Sequence, residues 1–76
     1  MKGALLQSNT SNKKVLQHIS IHDAMGRLQY QTKRWVSGYS EYNLNSVLHS
    51  GLNIINVHLE DNANSSYTFK INKGTL

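Results

Sequence analysis

The sequence predicts an all-β fold, an antiparallel sandwich of about six or seven short strands. Short stretches in which apolar and polar residues alternate recur along the chain, as in Ile19-Ser20-Ile21-His22. Clusters of Asn, Ser, Asp and Gly separate these stretches. Alternation with period two is the pattern of a half-buried strand, and several such strands with turn residues between them indicate a sandwich.

Six strands are predicted in order along the chain, at about residues 5–7, 15–22, 27–36, 40–44, 52–60 and 67–72. Polar clusters at 8–12 and 61–66 mark two of the connections. In the fifth strand Ile54 and Ile55 are consecutive, so one of them must face a second apolar surface or lie at a bulge. We therefore expect the fifth strand at the centre of the fold.

Two glycines are expected to have positive φ. Gly26 completes a tight turn that begins at Asp23, whose carboxylate can accept a hydrogen bond from the backbone two residues on. Residues 45–50 break the alternation and end at Gly51, which is typical of one helical turn closed by a left-handed glycine. This turn should carry the chain from one sheet to the other, with Leu44 and Leu48 pointing inward.

The length of 76 residues predicts one domain. A domain of this size buries only ~60% of the surface that its chain exposes when unfolded. Residues 1–12 are interpreted as a flexible leader or an incomplete first strand, and residues 13–76 as the sandwich. No cysteine is present, so the apolar core must hold the fold. The predicted core is Val15, Ile19, Ile21, Leu28, Tyr30, Trp35, Tyr42, Leu44, Leu48, Leu52, Ile55, Val57, Leu59, Tyr67, Phe69 and Ile71.

The net charge of +4 permits attraction to phosphates or to anionic lipopolysaccharide. The basic residues include two separate pairs, 13–14 and 33–34, and charged residues make up only 16% of the chain. A dedicated nucleic-acid stripe is therefore not expected. No apolar run approaches the ~20 residues that span a bilayer, so no membrane span is expected either.

The histidines do not predict catalysis or metal binding. His18 and His22 share a face of the predicted strand but lie roughly 13 Å apart, too far for one ion. His22 and Asp23 are neighbours on a strand and point to opposite faces, and no nucleophile elbow lies nearby. We expect no enzymatic activity, no metal and no cofactor.

The motif at residues 19–28, apolar-x-apolar-x-Asp-x-x-Gly-Arg-apolar, resembles the first block of the type A C-terminal sorting domains of type IX secretion cargo. Residues 42–57 resemble the second block of that family, with Asn53 where the family usually has an aromatic residue. Residues 67–73 resemble its closing strand, which bears lysines. Together the three blocks cover residues 15–73.

The resemblance implies an immunoglobulin-like antiparallel β-sandwich that serves as a non-catalytic export signal. The implied partners are the outer-membrane translocon, a sortase-like peptidase and an N-terminal cargo domain in the same precursor. The implied location is the cell surface or the medium, reached through the periplasm and the outer membrane. The residues that the resemblance assigns to recognition are Gly26, Arg27, Gly51, Lys70 and Lys73.

Two other functions remain open at this point. A small immunoglobulin-like adhesion or protein-binding module has the same strand pattern and binds partners through an open sheet edge. A basic β-barrel that binds single-stranded nucleic acid is the third possibility, based on Lys33-Arg34-Trp35 with Tyr30 and Tyr39 nearby.

Overall fold

The computed structural model describes residues 4–10, 12–61 and 63–74, and strands dominate this part of the chain. Within it, no helix has the length and the apolar character that crossing a membrane requires. All six predicted strands are confirmed, with bounds that differ from the prediction by at most two residues. They are β1 (Leu5–Asn9), β2 (Val15–His22), β3 (Leu28–Val36), β4 (Tyr39–Asn43), β5 (Gly51–Glu60) and β6 (Ser66–Lys73).

The strands form two antiparallel sheets. The small sheet consists of β1 and β4, and the large sheet has the order β3-β2-β5-β6. β5 is paired on both sides, as expected for the centre of the fold, and its partner β2 is the other inner strand. In the register of these two strands Ile21 lies opposite Ile55, and Ile19 lies opposite Val57.

The apolar core lies between the large sheet and the segment that contains β1, β4 and the turn after β4. Leu44 and Leu48 are buried as predicted, and Leu48 N–H donates to the carbonyl of Leu44 at 3.1 Å, which closes a single turn between the sheets. Each large side chain buried here contributes about 1.5–3 kcal/mol. The main cluster contains Ile19, Ile21, Leu44, Leu48, Ile55 and Val57, and a smaller cluster contains Val15, Val36 and Leu59.

Trp35 was wrongly predicted to be buried, and so was Leu28. Trp35 is 62% exposed, because its neighbour Val36 takes the inward position and is only 2% exposed. Leu28 is 49% exposed. The register shifts between Ile21 and His22, so that Leu28 lies opposite the outward-facing His22.

Tyr67 was also predicted to be buried and is 56% exposed. It lies opposite the buried Val57 and therefore points to the inner face of the large sheet. However, β6 is the edge strand of the large sheet, and the two-stranded sheet does not extend over it. Exposure of Tyr67 thus reflects incomplete cover and not a wrong register.

The side of the molecule where β3 and β4 run, which we call the closed side, is filled by side chains. The hydroxyl groups of Tyr30 and Tyr42 lie 2.6 Å apart. Arg34 lies over the Tyr42 ring, with its Cζ 5.1 Å from the ring centroid, and its Nη1 donates to the carbonyl of Glu41 at 3.3 Å. These contacts join the edge strands of the two sheets.

The opposite side, where β1 and β6 run, holds a cleft of about 300 Å³, and we call it the open side. No hydrogen bond between side chains joins β1 to β6 among the residues that the structure describes. Gln17 of β2, two strands in from β6, instead links the sheets, because its Nε2 donates to Ser8 Oγ at 2.6 Å. The cleft is lined by Leu6, Gln7, Ser8, Asn9, Val57, Leu59, Tyr67 and Phe69.

Candidate functional site

The residues assigned to recognition lie mostly at one end of the molecule, which we call the turn end. It consists of the β2–β3 turn (23–27), residues 49–51 and the end of β6. Arg27 and Gly51 line the same cleft there, which has a volume of about 380 Å³. Lys73 lies opposite Gly51 on β6, and its Nζ donates to the carbonyl of Leu48 at 3.4 Å.

Lys70 lies elsewhere. It is opposite Ile54, exposed, on the outer face of the large sheet. Side chains alternate along β6, which puts Lys70 on the outer face. The antiparallel order of β2, β5 and β6 places Lys73 at the turn end, because it brings the end of β2, the start of β5 and the end of β6 together. Gly26 and Arg27, Gly51 and Lys73 therefore meet at the turn end although they are distant in sequence.

The β2–β3 turn is organised around the carboxylate of Asp23, which is only 7% exposed. Its Oδ1 accepts hydrogen bonds from the backbone N–H groups of Met25 and Arg27, both at 2.9 Å. Its Oδ2 accepts from Arg27 Nε at 2.8 Å and from Gln29 Nε2 at 3.0 Å. The predicted bond two residues on is confirmed, and the other three bonds make this turn more rigid than the prediction required.

The ionised form of Asp23 is favoured in this setting. The hydrogen bond from the Arg27 backbone N–H lowers the pKa of Asp23, and burial acts in the opposite direction. The bonds from the Arg27 side chain and from the Met25 N–H lower the pKa further. Asp23 therefore stays charged well below neutral pH and keeps Arg27 in one position.

Both predicted positive-φ glycines are confirmed. Gly26 has φ of 85° and Gly51 has φ of 91°. A Cβ atom built at either position would have no neighbour within 4 Å. The requirement for glycine is therefore the left-handed backbone and not space, since side chains disfavour that conformation.

Arg27 is a pre-oriented cation at the surface. Its side chain is 75% exposed, while its Nε is held by Asp23. No other described residue accepts a hydrogen bond from its Nη groups. A guanidinium whose Nε is occupied can still bind a carboxylate or phosphate through its two Nη groups. The turn end can therefore recognise an oxyanion, with the 80% exposed Met25 beside it as an apolar contact.

Asn53 holds the segment that forms the other wall of the cleft at the turn end. From the sequence it was noted only as a departure from the family pattern. It is fully buried. Its Oδ1 accepts from His49 N–H at 3.0 Å, and its Nδ2 donates to the carbonyls of His49 at 2.8 Å and Gly51 at 3.0 Å. The signal in the sequence was an amide at an inward position of a central strand, just after a glycine turn.

The outer face of the large sheet carries polar side chains. His18 Nε2 contacts Glu60 Oε2, and the ring centroids of His18 and His58 lie 5.8 Å apart. Within the described ranges, no three His, Asp or Glu side chains are placed to hold one metal ion. Lys33 shares this face with Trp35, whereas Arg34 faces inward, so the three residues of the basic and aromatic motif are divided between two faces.

No protein-family model, no curated protein and no solved structure matches this chain. Function is therefore inferred from its residues and their geometry.

Proposed function

We propose that this chain is a non-catalytic C-terminal sorting domain of the type IX secretion class, with an immunoglobulin-like sandwich fold. The observation that supports the proposal best is the meeting of residues from three separate motifs at the turn end. Gly26 and Arg27 come from the first motif, Gly51 from the second and Lys73 from the third. A partner that recognises several residues at once requires them to be close together, and the shared cleft of Arg27 and Gly51 and the pairing of Gly51 with Lys73 support this.

The construction of the turn end suits recognition. Asp23 and Asn53 each engage several backbone groups, so the two segments that wall the cleft are held in fixed conformations. Their rigidity limits the conformational entropy that is lost when a partner binds. The partners in this proposal are the outer-membrane translocon and a sortase-like peptidase, and the domain follows a cargo domain in the precursor. The destination is the cell surface or the medium.

An export assay tests the proposal. The domain is fused to the C-terminus of a periplasm-directed reporter in a host that has type IX secretion. We expect the reporter to reach the surface or the medium. Retention in the periplasm, while a known sorting domain exports the same reporter, would refute the proposal.

Single substitutions test the assignment of the recognition surface. We expect Arg27→Ala and Lys73→Ala to lower export per folded molecule, since both residues lie at the turn end. Lys13→Ala and Lys14→Ala remove the same charge at the opposite end and should leave export unchanged. Export is normalised to folded protein, because Arg27→Ala removes a side-chain hydrogen bond to the buried Asp23 and thereby also affects stability. Equal losses in both sets would show that only net charge matters.

A further inference from the structure

We propose that the open side is an acceptor site for one extended strand of another protein. The strand pairs with the free edge of β1 and packs alternate apolar side chains against the uncovered inner face of β6. This binding property does not depend on the proposed role in sorting. It arises from the backbone of β1, the exposed side chains of β6 and the projection of the large sheet beyond β1.

The hydrogen bonds of β1 show which of its backbone groups are directed to the free edge. Leu44 N–H donates to the carbonyl of Ala4 at 2.7 Å, and Thr10 N–H donates to the carbonyl of Gly38 at 2.9 Å. Residues of an antiparallel pair alternate between those that bond the partner strand and those that do not. Even-numbered residues of β1 therefore bond β4, and odd-numbered residues point away from it.

The free edge of β1 thus presents the backbone N–H and C=O groups of Leu5, Gln7 and Asn9. The same alternation holds on β4, where the carbonyl of Glu41 points to the other edge of the small sheet. On that edge Arg34 Nη1 donates to the Glu41 carbonyl. The closed side therefore covers its edge with an arginine, while the edge of β1 faces the cleft. No strand among the described residues pairs with this edge, and an edge of this kind is a template for an added strand.

The floor of the cleft is apolar. Tyr67 and Phe69 project from β6 toward the level of the small sheet, and Tyr67 is 56% exposed. Leu6 and Val57 form the inner wall. An added strand at the edge of β1 would lie above these rings, so every second side chain of that strand would enter the cleft.

The shape of the open side excludes a second copy of the chain as the occupant. The large sheet has four strands and the small sheet has two. On the open side the large sheet therefore projects beyond β1. A second copy that approached the free edge of β1 with its own β1 would bring its projecting β6 into the same space. A lone strand has no second layer and avoids that collision.

Charge at one end of the cleft selects the sequence of the strand. Beyond β1 the cleft continues into a second one of about 630 Å³ that is lined by Lys13 and Lys14. Glu60 and Asp61 line the same cleft, where Glu60 contacts His18 and Asp61 accepts hydrogen bonds from its own loop. Lys14 is exposed here, and its ammonium group favours an acidic residue at this end of the guest strand. For the more common antiparallel pairing, that is the guest's N-terminal end.

A designed peptide provides the probe, acetyl-Asp-Thr-Val-Thr-Val-Thr-Val-amide. It is titrated into the ¹⁵N-labelled protein, and amide resonances are followed by NMR. We expect saturable shifts at Leu5, Gln7, Asn9 and the amides of β6, with small shifts on β3 and β4. A peptide with Lys in place of Asp should bind more weakly, and the difference should shrink as salt is added.

Two pairs of variants locate the site. Gln7→Pro removes one N–H at the free edge of β1, and Glu41→Pro removes one at the opposite edge from the residue that lies across from it. Tyr67→Ser and Tyr39→Ser remove rings of similar exposure, 56% and 59%, from β6 and from β4. We expect Gln7→Pro and Tyr67→Ser to weaken peptide binding at least tenfold, while Glu41→Pro and Tyr39→Ser leave it unchanged.

Several outcomes would overturn the proposal. One is the absence of saturable shifts at millimolar peptide, and another is equal weakening by both members of either pair. Shifts confined to β3 and β4 would place the acceptor edge on the closed side. Concentration-dependent dimerisation that Gln7→Pro abolishes would identify a second copy as the occupant. If Gln7→Pro does not fold, as judged by circular dichroism, the Tyr67→Ser and Tyr39→Ser pair decides the question.

Discussion

The two lateral sides of the molecule join the same two sheets in different ways. On the closed side, Tyr42 of the small sheet shares a hydrogen bond with Tyr30 of the large sheet and carries Arg34 above its ring. On the open side, Tyr67 occupies a comparable inward position on an edge strand, yet its ring is largely exposed. The difference lies in cover, because β4 provides a facing strand for β3 and no described strand faces β6.

This contrast shows that a tyrosine on an edge strand can serve either of two purposes. Where a second sheet lies opposite, the ring completes the core, and its hydroxyl group needs a partner. Without a facing strand, the ring remains a contact surface for another molecule. The closed side is thus expected to support folding, and the open side to support binding.

The largest expected difference concerns stability. Tyr42→Ala removes a half-buried ring, its hydroxyl bond to Tyr30 and the support for Arg34, and we expect a loss of about 2 kcal/mol in the free energy of unfolding. Tyr67→Ala removes a mostly exposed ring and should cost no more than about 0.5–1 kcal/mol. Denaturant unfolding of both variants measures the difference.

Equal midpoints for Tyr42→Ala and Tyr67→Ala would show that the open side contributes as much to the fold as the closed side does. A larger loss for Tyr67→Ala would mean that another part of the chain or another molecule covers the edge of β6 in solution. The m-value should stay constant across the variants, because a change in m would indicate a change in the unfolded or the native ensemble.

Hydrogen exchange should reveal a smaller difference between the same sides. The amides of β6 that bond β5 should exchange about tenfold faster than the amides of β3 that bond β2, a difference of about 1.4 kcal/mol in opening free energy. The reason is that β6 packs through half-buried side chains, such as Phe69 and Ile71, without a facing strand. Tyr42→Ala should raise exchange in β3 and remove the contrast. Slower exchange in β6 than in β3 would contradict this account.

Local patterns in the sequence were sufficient to predict the strands and both left-handed glycines. Alternation identifies a strand wherever it lies, and the backbone at Gly26 and Gly51 is determined by short turns. The choice of face was harder at strand ends. Trp35 and Val36 are both apolar neighbours, and the register of β2 and β3 decides which one is buried. The exposure of Tyr67 depends on how far the small sheet extends, which no local pattern contains.

The candidate site divides in the same way. The Asp23 turn could be predicted because its hydrogen bonds join residues close in sequence. The meeting of Arg27 with Gly51 and Lys73 could not, because it requires the strand order β2-β5-β6. The inward position of Asn53 on a central strand indicated its burial, but its hydrogen bonds could not be predicted, since they depend on carbonyl and N–H groups that the neighbouring loop supplies.

The smallest expected effect is a difference in alkaline pH dependence between the sides. The hydrogen bond with Tyr30 raises the pKa of Tyr42 above its usual value of 10.0, and burial acts in the same direction. The folded state therefore holds the Tyr42 proton more tightly than the unfolded state does. This contribution to stability is fully present below about pH 10 and is lost as the pH rises through the raised pKa. Tyr42→Phe should remove that loss, so its unfolding free energy should fall less steeply above pH 10 than that of the unmodified protein. The expected change is below about 1 kcal/mol, comparable to one hydrogen bond.

Tyr67→Phe is the control, because the Tyr67 hydroxyl has no hydrogen-bond partner among the described residues. Tyr39, whose pKa is also raised by its bond to Glu41, is present in both variants and cancels in the comparison. Parallel pH profiles for Tyr42→Phe and Tyr67→Phe would show that the hydroxyl pair does not hold the closed side together in solution.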